Sequence, residues 1–269
     1  MERITSTKNP RVKEWASLKH KKYREQKGLF FIEGTRLVED ALRSNAPVET
    51  LLLSEGKRET GKIEEIIHTA NALGIELIEV NDAVISHVTD TQSPQGVVAI
   101  VRHYEHKLEE SIQGQRDALY LALEQIQDPG NLGTMIRTAD AVGATGVLIG
   151  SGSVDLYNPK VVRATMGSLF HLPVFEVELM NVLPALKERG IQLIGTSVQA
   201  DQTVYDIDLT GNVVFVIGSE AHGLSEEVRK LLDTEVNIPM PGSAESLNAA
   251  IASAVILYEA VRQRMRSLA

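Results

Sequence analysis

Three short segments in the C-terminal half carry residue types whose chemistry depends on their being brought together. Asp128-Pro129-Gly130-Asn131-Leu132-Gly133-Thr134-Met135-Ile136-Arg137-Thr138-Ala139 follows an apolar strand with a Pro-Gly turn and then starts a helix holding Asn131 and Arg137 six residues apart. Val216-Ile217-Gly218-Ser219-Glu220-Ala221-His222-Gly223-Leu224 runs a strand into a turn whose glycines let main-chain amides approach a ligand. Ile238-Pro239-Met240-Pro241-Gly242-Ser243-Ala244-Glu245-Ser246-Leu247-Asn248 is an irregular loop that feeds a long helix. Taken singly, each also reads as ordinary structure: Asn131 as an N-cap, Arg137 as a surface cation, the Gly218 segment as a strand-to-helix turn, and Ser246 or Ser243 as a cap.

Other candidate chemistries fail on spacing. Gly150-Ser151-Gly152-Ser153-Val154-Asp155 follows a strand like a dinucleotide-binding loop, but Asp155 stands where the third glycine belongs and Leu156-Tyr157-Asn158-Pro159 interrupts the helix that would face a pyrophosphate. A plain loop is the better reading, and a nicotinamide-dependent dehydrogenase loses its main support. The seven histidines form no His-Glu-x-x-His and no carboxylate-backed pair, so no metal site is expected, and His103 and His106 read as part of a solvated linker. No Gly-x-Ser-x-Gly elbow makes Ser151, Ser153 or Ser219 a nucleophile.

The elements around these segments alternate as α/β units. In the first hundred residues the pattern predicts a helix from Pro10 to Leu18, a strand at Phe30-Phe31-Ile32, a helix with Leu37, Val38, Ala41 and Leu42 on one face, and a strand from Val48 to Leu53. A helix over Ile63 to Leu73 and strands over Ile75 to Val80 and Gly96 to Val101 follow. His103 to Asp117 is polar and lacks a hydrophobic period, so the boundary falls there: residues 1–103, a linker 104–117, and a second domain 118–269. That domain reads as strands Ala118 to Leu123, Gly146 to Gly150, Ile191 to Ser197 and Val213 to Gly218, a helix over Gly133 to Val142, and a long helix from Ser246 to about Arg266. Continuous apolar strands suit a parallel sheet covered on both faces.

With 269 residues, 43% apolar and 23% charged, the chain has the composition of a globular protein and is too long for a small stapled fold. It has no cysteine, which excludes disulfides, thiolate nucleophiles and Cys-ligated metals and points to the cytoplasm. The polar N-terminus lacks the apolar core of a signal peptide, and no run is long enough for a membrane span. The net charge of −9 hides an asymmetry: residues 1–28 carry nine basic and three acidic side chains, and the remaining 241 carry −15.

In this order and near these separations, the three segments resemble the signature motifs of the SPOUT class of RNA methyltransferases, in the SpoU/TrmH branch that methylates ribose 2′-hydroxyls of ribosomal and transfer RNA. The resemblance covers 118–269. Phe31-Ile32-Glu33-Gly34, with Arg36 and Val38-Glu39, is similar to the small ribosomal-protein-like substrate-binding domain of many members. One departure stands in the third segment, where Ala249-Ala250 follows Asn248 in place of Val-Ser.

The resemblance implies an α/β fold: a C-terminal SPOUT domain whose parallel sheet carries a deep trefoil knot, a rare exception to the rule against knots, and a small N-terminal α/β RNA-binding domain. It implies S-adenosylmethionine as cofactor, held in the knot by Gly218, Ile238 and Leu247, with Thr196 as a further contact, and a homodimer built through the C-terminal helix. Arg137, Asn131, Glu220, Ser246 and Asn248 match the catalytic positions. A guanidinium is too weak an acid to serve as a base, so Arg137 is expected to bind the phosphate beside the target ribose and stabilise the developing alkoxide. Asn131 and Glu220 would orient it, and Ser246 and Asn248 would supply supporting hydrogen bonds. Lys8, Arg11, Lys19, Lys21, Lys22, Tyr23 and Arg24 of the basic arm, and Arg163, are the expected RNA contacts. Ribosomal RNA is favoured as the partner; the alternatives are a transfer RNA ribose methyltransferase or a non-catalytic RNA-binding assembly factor of the same fold.

Overall fold

The computed structural model describes residues 1–57, 61–89, 95–104, 106–112 and 117–267. The chain folds as two compact units, one of Met1–Tyr104 with Asp155–Phe170, the other of Glu105–Val154 with His171–Ala269.

The first unit runs β1 (Glu2–Ile4), α1 (Pro10–Ser17), α2 (Lys21–Lys27), β2 (Leu29–Glu33), α3 (Thr35–Arg43), β3 (Val48–Ser54), α4 (Gly61–Ala72), β4 (Glu76–Val80), α5 (Asp82–Thr89) and β5 (Val97–Arg102). Pro10 sits at the start of α1, and Asn9 caps it by accepting from the Arg11 amide at 2.9 Å. The five strands lie in the order β1-β4-β3-β5-β2, with β5 antiparallel to both neighbours. Val12, Trp15, Phe31, Leu52, Ile78 and Val84 join one buried cluster.

Asp155–Phe170 completes this unit. Tyr157 is buried against Phe30 at 4.6 Å between ring centroids and stacks on His103 at 3.9 Å and 12°. Its hydroxyl donates to the Tyr104 carbonyl, and the Tyr104 hydroxyl donates to the Leu169 carbonyl. His103 is therefore half-buried, contrary to the solvated place expected from its polar surroundings. Its Nε2 is buried without a hydrogen-bond partner among the described residues, and burial pushes its pKa down.

The second unit runs α6 (Leu108–Ile112), β6 (Leu119–Leu123), α7 (Pro129–Ala141) and β7 (Gly146–Gly150). After α8 (Pro159–Thr165), which packs in the first unit, come β8 (Val174–Val177), α9 (Leu179–Glu188), β9 (Gln192–Thr196), β10 (Gln202–Thr203) and β11 (Val213–Ile217). The chain ends with α10 (Glu226–Arg229), β12 (Thr234–Asn237) and α11 (Ala249–Ser267). The seven strands are all parallel, in the order β10-β12-β9-β11-β6-β7-β8. Every residue of the central pair β6 and β11 is buried, as strands covered on both faces must be. α6 lies in the stretch that shows no hydrophobic period: its Leu108 and Ile112 pack against this unit's core, two apolar side chains being too few to register as a pattern.

Gly150 and Gly152 serve packing. A Cβ on Gly150 would stand 2.7 Å from the Leu179 side chain, and Gly152 has a φ of +85° over Gln125.

Candidate active site

The order in which strands are added to the sheet reverses at β11–β6: β7 and β8 lie to one side, β9, β10 and β12 to the other. In open parallel sheets, ligands bind beyond the strands' carboxyl ends at such a switch point. The three segments singled out by sequence leave β6, β11 and β12 at that end.

The first segment enters α7 with Pro129 in its first turn, and Asp128 is the cap, its Oδ1 accepting from the Asn131 amide at 2.7 Å. This corrects the reading of Asn131 as the cap and frees its carboxamide for other partners. The second segment closes on itself. Ser219 and Gly223 exchange backbone hydrogen bonds at 3.0 and 2.9 Å, Gly223 takes φ +67°, and a Cβ on the buried Gly218 would lie 2.1 Å from the Gly223 carbonyl carbon. Only glycine fits there. Glu124, at the end of β6, holds the exit of the same loop: it is buried and accepts from the Ser225 amide at 2.9 Å and hydroxyl at 2.6 Å.

The third segment delivers Asn248 to the start of α11. Its Oδ1 accepts from the Ala250 and Ile251 amides at 2.9 and 3.3 Å, so Asn248, rather than Ser246 or Ser243, caps the helix, which begins at Ala249. The Asn248 Nδ2 donates to Asn131 Oδ1 at 3.0 Å, and the Asn131 Nδ2 donates to Glu220 Oε1 at 2.8 Å. One line of hydrogen bonds thus joins all three segments and sets both amide orientations, because each oxygen accepts and each nitrogen donates.

Beside this line lies a cleft of about 620 Å3. Thr196, Gly218, Glu220, Ile238, Ser246, Leu247 and Asn248, all expected from sequence, line it. Residues without a sequence signal line it too, among them Gln199 after β9, Asn237 at the end of β12, and Arg229 on α10. The Glu124 clamp was equally unmarked; the one hint is a carboxylate ending an apolar strand.

The cations are distributed unevenly. Arg137 is exposed on α7 and makes no hydrogen bond or ion pair among the described residues, while Asn131 and Glu220 bond to each other. In the first unit, Arg24 corrects its expected place among RNA contacts. It is 3% exposed, pairs with Asp155, and donates to the Leu18 and Lys19 carbonyls at 2.8 and 2.9 Å. Arg11 is bound to Glu2 and Glu76 and lies over the Trp15 ring; Lys19 donates to the His87 carbonyl, and Lys21 faces Glu25. Lys8, Lys22 and Tyr23 remain exposed, as does Arg163 on α8.

Comparisons with known proteins agree with this geometry. Residues 118–258 match the SpoU rRNA Methylase family, and residues 9–99 match the MRM3-like substrate binding domain. The chain is 36% identical to the 23S rRNA (guanosine(2553)-2′-O)-methyltransferase RlmP of Bacillus subtilis, over 96% of this chain and 98% of that protein. It is similar to the crystal structure of the SpoU methyltransferase AviRb from Streptomyces viridochromogenes in complex with AdoMet, with a TM-score of 0.88 and 36% identity over 96% of this chain and 99% of that one. An AdoMet-bound rRNA methyltransferase from Sinorhizobium meliloti matches with the same TM-score and 35% identity, over 97% of each chain.

Proposed function

The chain belongs to the SpoU rRNA methylase family, with that family's knotted SPOUT fold, and from this premise we infer that it is an S-adenosylmethionine-dependent methyltransferase of ribose 2′-hydroxyls in ribosomal RNA. The observation that carries the reading is the Glu220–Asn131–Asn248 line, which assembles the three motif segments at the rim of one cleft.

The cleft suits the cofactor in size and in chemistry. Its volume falls in the range of small-molecule sites, Ile217, Val236, Ile238 and Leu247 offer apolar walls for a nucleoside, and Glu220 places a carboxylate where a sulfonium and an ammonium must be accommodated. Thr196, Gly218, Ile238 and Leu247 are the residues assigned to hold it. When bound, the cofactor supplies an electrophilic methyl carbon.

The protein's part is alignment and charge. Arg137 is assigned to the phosphate beside the target ribose, where its planar fork both fixes the sugar and stabilises negative charge on the oxygen as the hydroxyl proton leaves. Asn131 holds Glu220 in place, Asn248 ties both to the start of α11, and Ser246 adds a hydroxyl at the cleft wall. Residues 1–103 are assigned to RNA binding, with Lys8, Lys22 and Tyr23 as contacts on the arm and Arg163 on α8. A homodimer through α11 is supported by Ile251, Tyr258 and Met265, which recur every seventh residue on one face and are 53, 54 and 68% exposed. No helix among the described residues is long and apolar enough to cross a membrane, and a cytoplasmic site of action fits the substrate.

The test is incubation of purified protein with methyl-labelled S-adenosylmethionine and ribosomal RNA, followed by nuclease digestion and mass spectrometry. A 2′-O-methylnucleoside is expected. Label on a base would overturn the ribose assignment, and cofactor binding without any transfer would favour the assembly-factor alternative.

A further inference from the structure

Among the described side chains that line the cleft there is one lysine or arginine, Arg229, and nothing in the motif segments calls for it. It is the last residue of α10, a four-residue helix with little stability of its own. Its mounting is nevertheless firm. Ser225 caps α10, its Oγ accepting from the Val228 amide at 3.3 Å, and the buried Glu124 carboxylate grips that serine through both its amide and its hydroxyl. The mount therefore reaches back to the end of β6, a strand buried at every residue.

The guanidinium is only lightly committed. Its Nε donates to the Leu224 carbonyl at 3.3 Å and one Nη1 proton points to Glu235 Oε2 at 3.4 Å, both long for charged partners. An arginine has five N–H donors, so three remain unspent among the described residues, including both on Nη2. A half-exposed arginine held at a cleft wall with a free edge is built to receive a planar anion in two-point fashion.

We propose that Arg229 binds the α-carboxylate of the cofactor's amino-acid tail, with Glu124 and Ser225 as the positioning pair that holds it at the cleft. This rests on the S-adenosylmethionine reading above. A carboxylate carried into the cleft loses water and needs a cationic donor in exchange, and among the described lining residues Arg229 is the one fixed positive charge.

Titration calorimetry with two ligands that differ in that one group tests it: S-adenosylmethionine and its decarboxylated analogue. The wild type should bind the complete cofactor about tenfold to a hundredfold more tightly. In Arg229→Gln that preference should disappear, through loss of affinity for S-adenosylmethionine with affinity for the decarboxylated ligand unchanged, and Arg229→Lys should restore part of it. Ser225→Ala should reduce the same preference. Equal weakening of both ligands by Arg229→Gln would mean that the residue only supports the fold of the loop, and no change for either would place the carboxylate elsewhere; both outcomes overturn the proposal. Failure of the folded wild type to bind either ligand would instead sink the cofactor reading beneath it.

Discussion

Arg24 on α2 and Arg137 on α7 both sit in sequence that marks them as RNA contacts, yet they end in opposite environments. Arg24 is almost wholly buried, spends its guanidinium on Asp155 and two carbonyls, and works as an internal tie of the first unit. Arg137 is exposed and uncommitted among the described residues, on a helix whose start is fixed by Asp128, Pro129 and the Asn131–Asn248 bond. A run of cations reports how much charge a segment carries and nothing about which side chains reach solvent. A motif whose members come from separate strands reports relations in space, because those members make sense only if the chain brings them together.

That contrast predicts different kinds of loss. Asp155→Ala leaves a buried guanidinium without its counter-charge, and the cost should be about 3–5 kcal/mol in the unfolding free energy. Denaturant titration would measure it. Replacing both partners at once, as Arg24→Met with Asp155→Leu, should cost less than either single change, since no uncompensated charge remains. If Asp155→Ala were neutral, Arg24 would have to be accessible after all and the contrast would dissolve.

Arg137→Ala should leave the unfolding midpoint and cofactor affinity where they are and lower single-turnover methyl transfer by about 10²–10³-fold. Arg137→Lys should recover little of it, because an ammonium cannot reproduce the planar fork. Near-normal turnover with lysine would show that position 137 contributes charge alone.

The same contrast separates what a sequence displays from what only folding creates. Most strand and helix positions were legible because their apolar residues repeat: Leu37, Val38, Ala41 and Leu42 are all buried on α3, and β6 and β11 are continuous apolar runs. The Glu220–Asn131–Asn248 line was legible only as a family pattern, since its members are 89 and 117 residues apart. Three of the features that escaped share a physical reason. α6 offers the core two residues, His103 owes its partial burial to Tyr157 rather than to its polar neighbours, and Arg24 finds its partner 131 residues away. No local period encodes such pairings. The helix starts are displaced for another reason: several candidate caps stand within a few residues, and the long-range bonds that spend the Asn131 carboxamide on Glu220 and Asn248 leave the capping of α7 to Asp128 and hold Asn248 at the start of α11.

Smaller effects sharpen the picture of the arm. With Arg11, Arg24 and Lys21 engaged internally, substitution of Lys8 and Lys22 by glutamine should weaken RNA binding and flatten its salt dependence by about 0.7 for each phosphate no longer neutralised on a single strand. An unchanged slope in filter-binding assays across a salt series would move the RNA interface away from α1 and α2.

The smallest expected effect lies beside Arg24 itself. His103 stacks on Tyr157 with its Nε2 buried and, among the described residues, unpartnered; burial holds its pKa below the ordinary value of about 6.5, with Asp155 pulling upward and Arg24 downward. The folded state therefore binds fewer protons than the unfolded chain in the window below about pH 6.5, so stability from this residue is complete above that value and is lost as pH falls through it. Thermal melts at pH 7.5 and pH 5.5 should show a larger drop for the wild type than for His103→Phe. Asp155→Asn should steepen the acid loss further, because it removes the charge that eases protonation while leaving Arg24 in place. A His103→Phe protein with undiminished acid sensitivity would assign the pH dependence to the carboxylates of the surface pairs, such as Glu76 beneath Arg11. The bond from Arg11 keeps that carboxylate's pKa low, so its contribution fades only at lower pH.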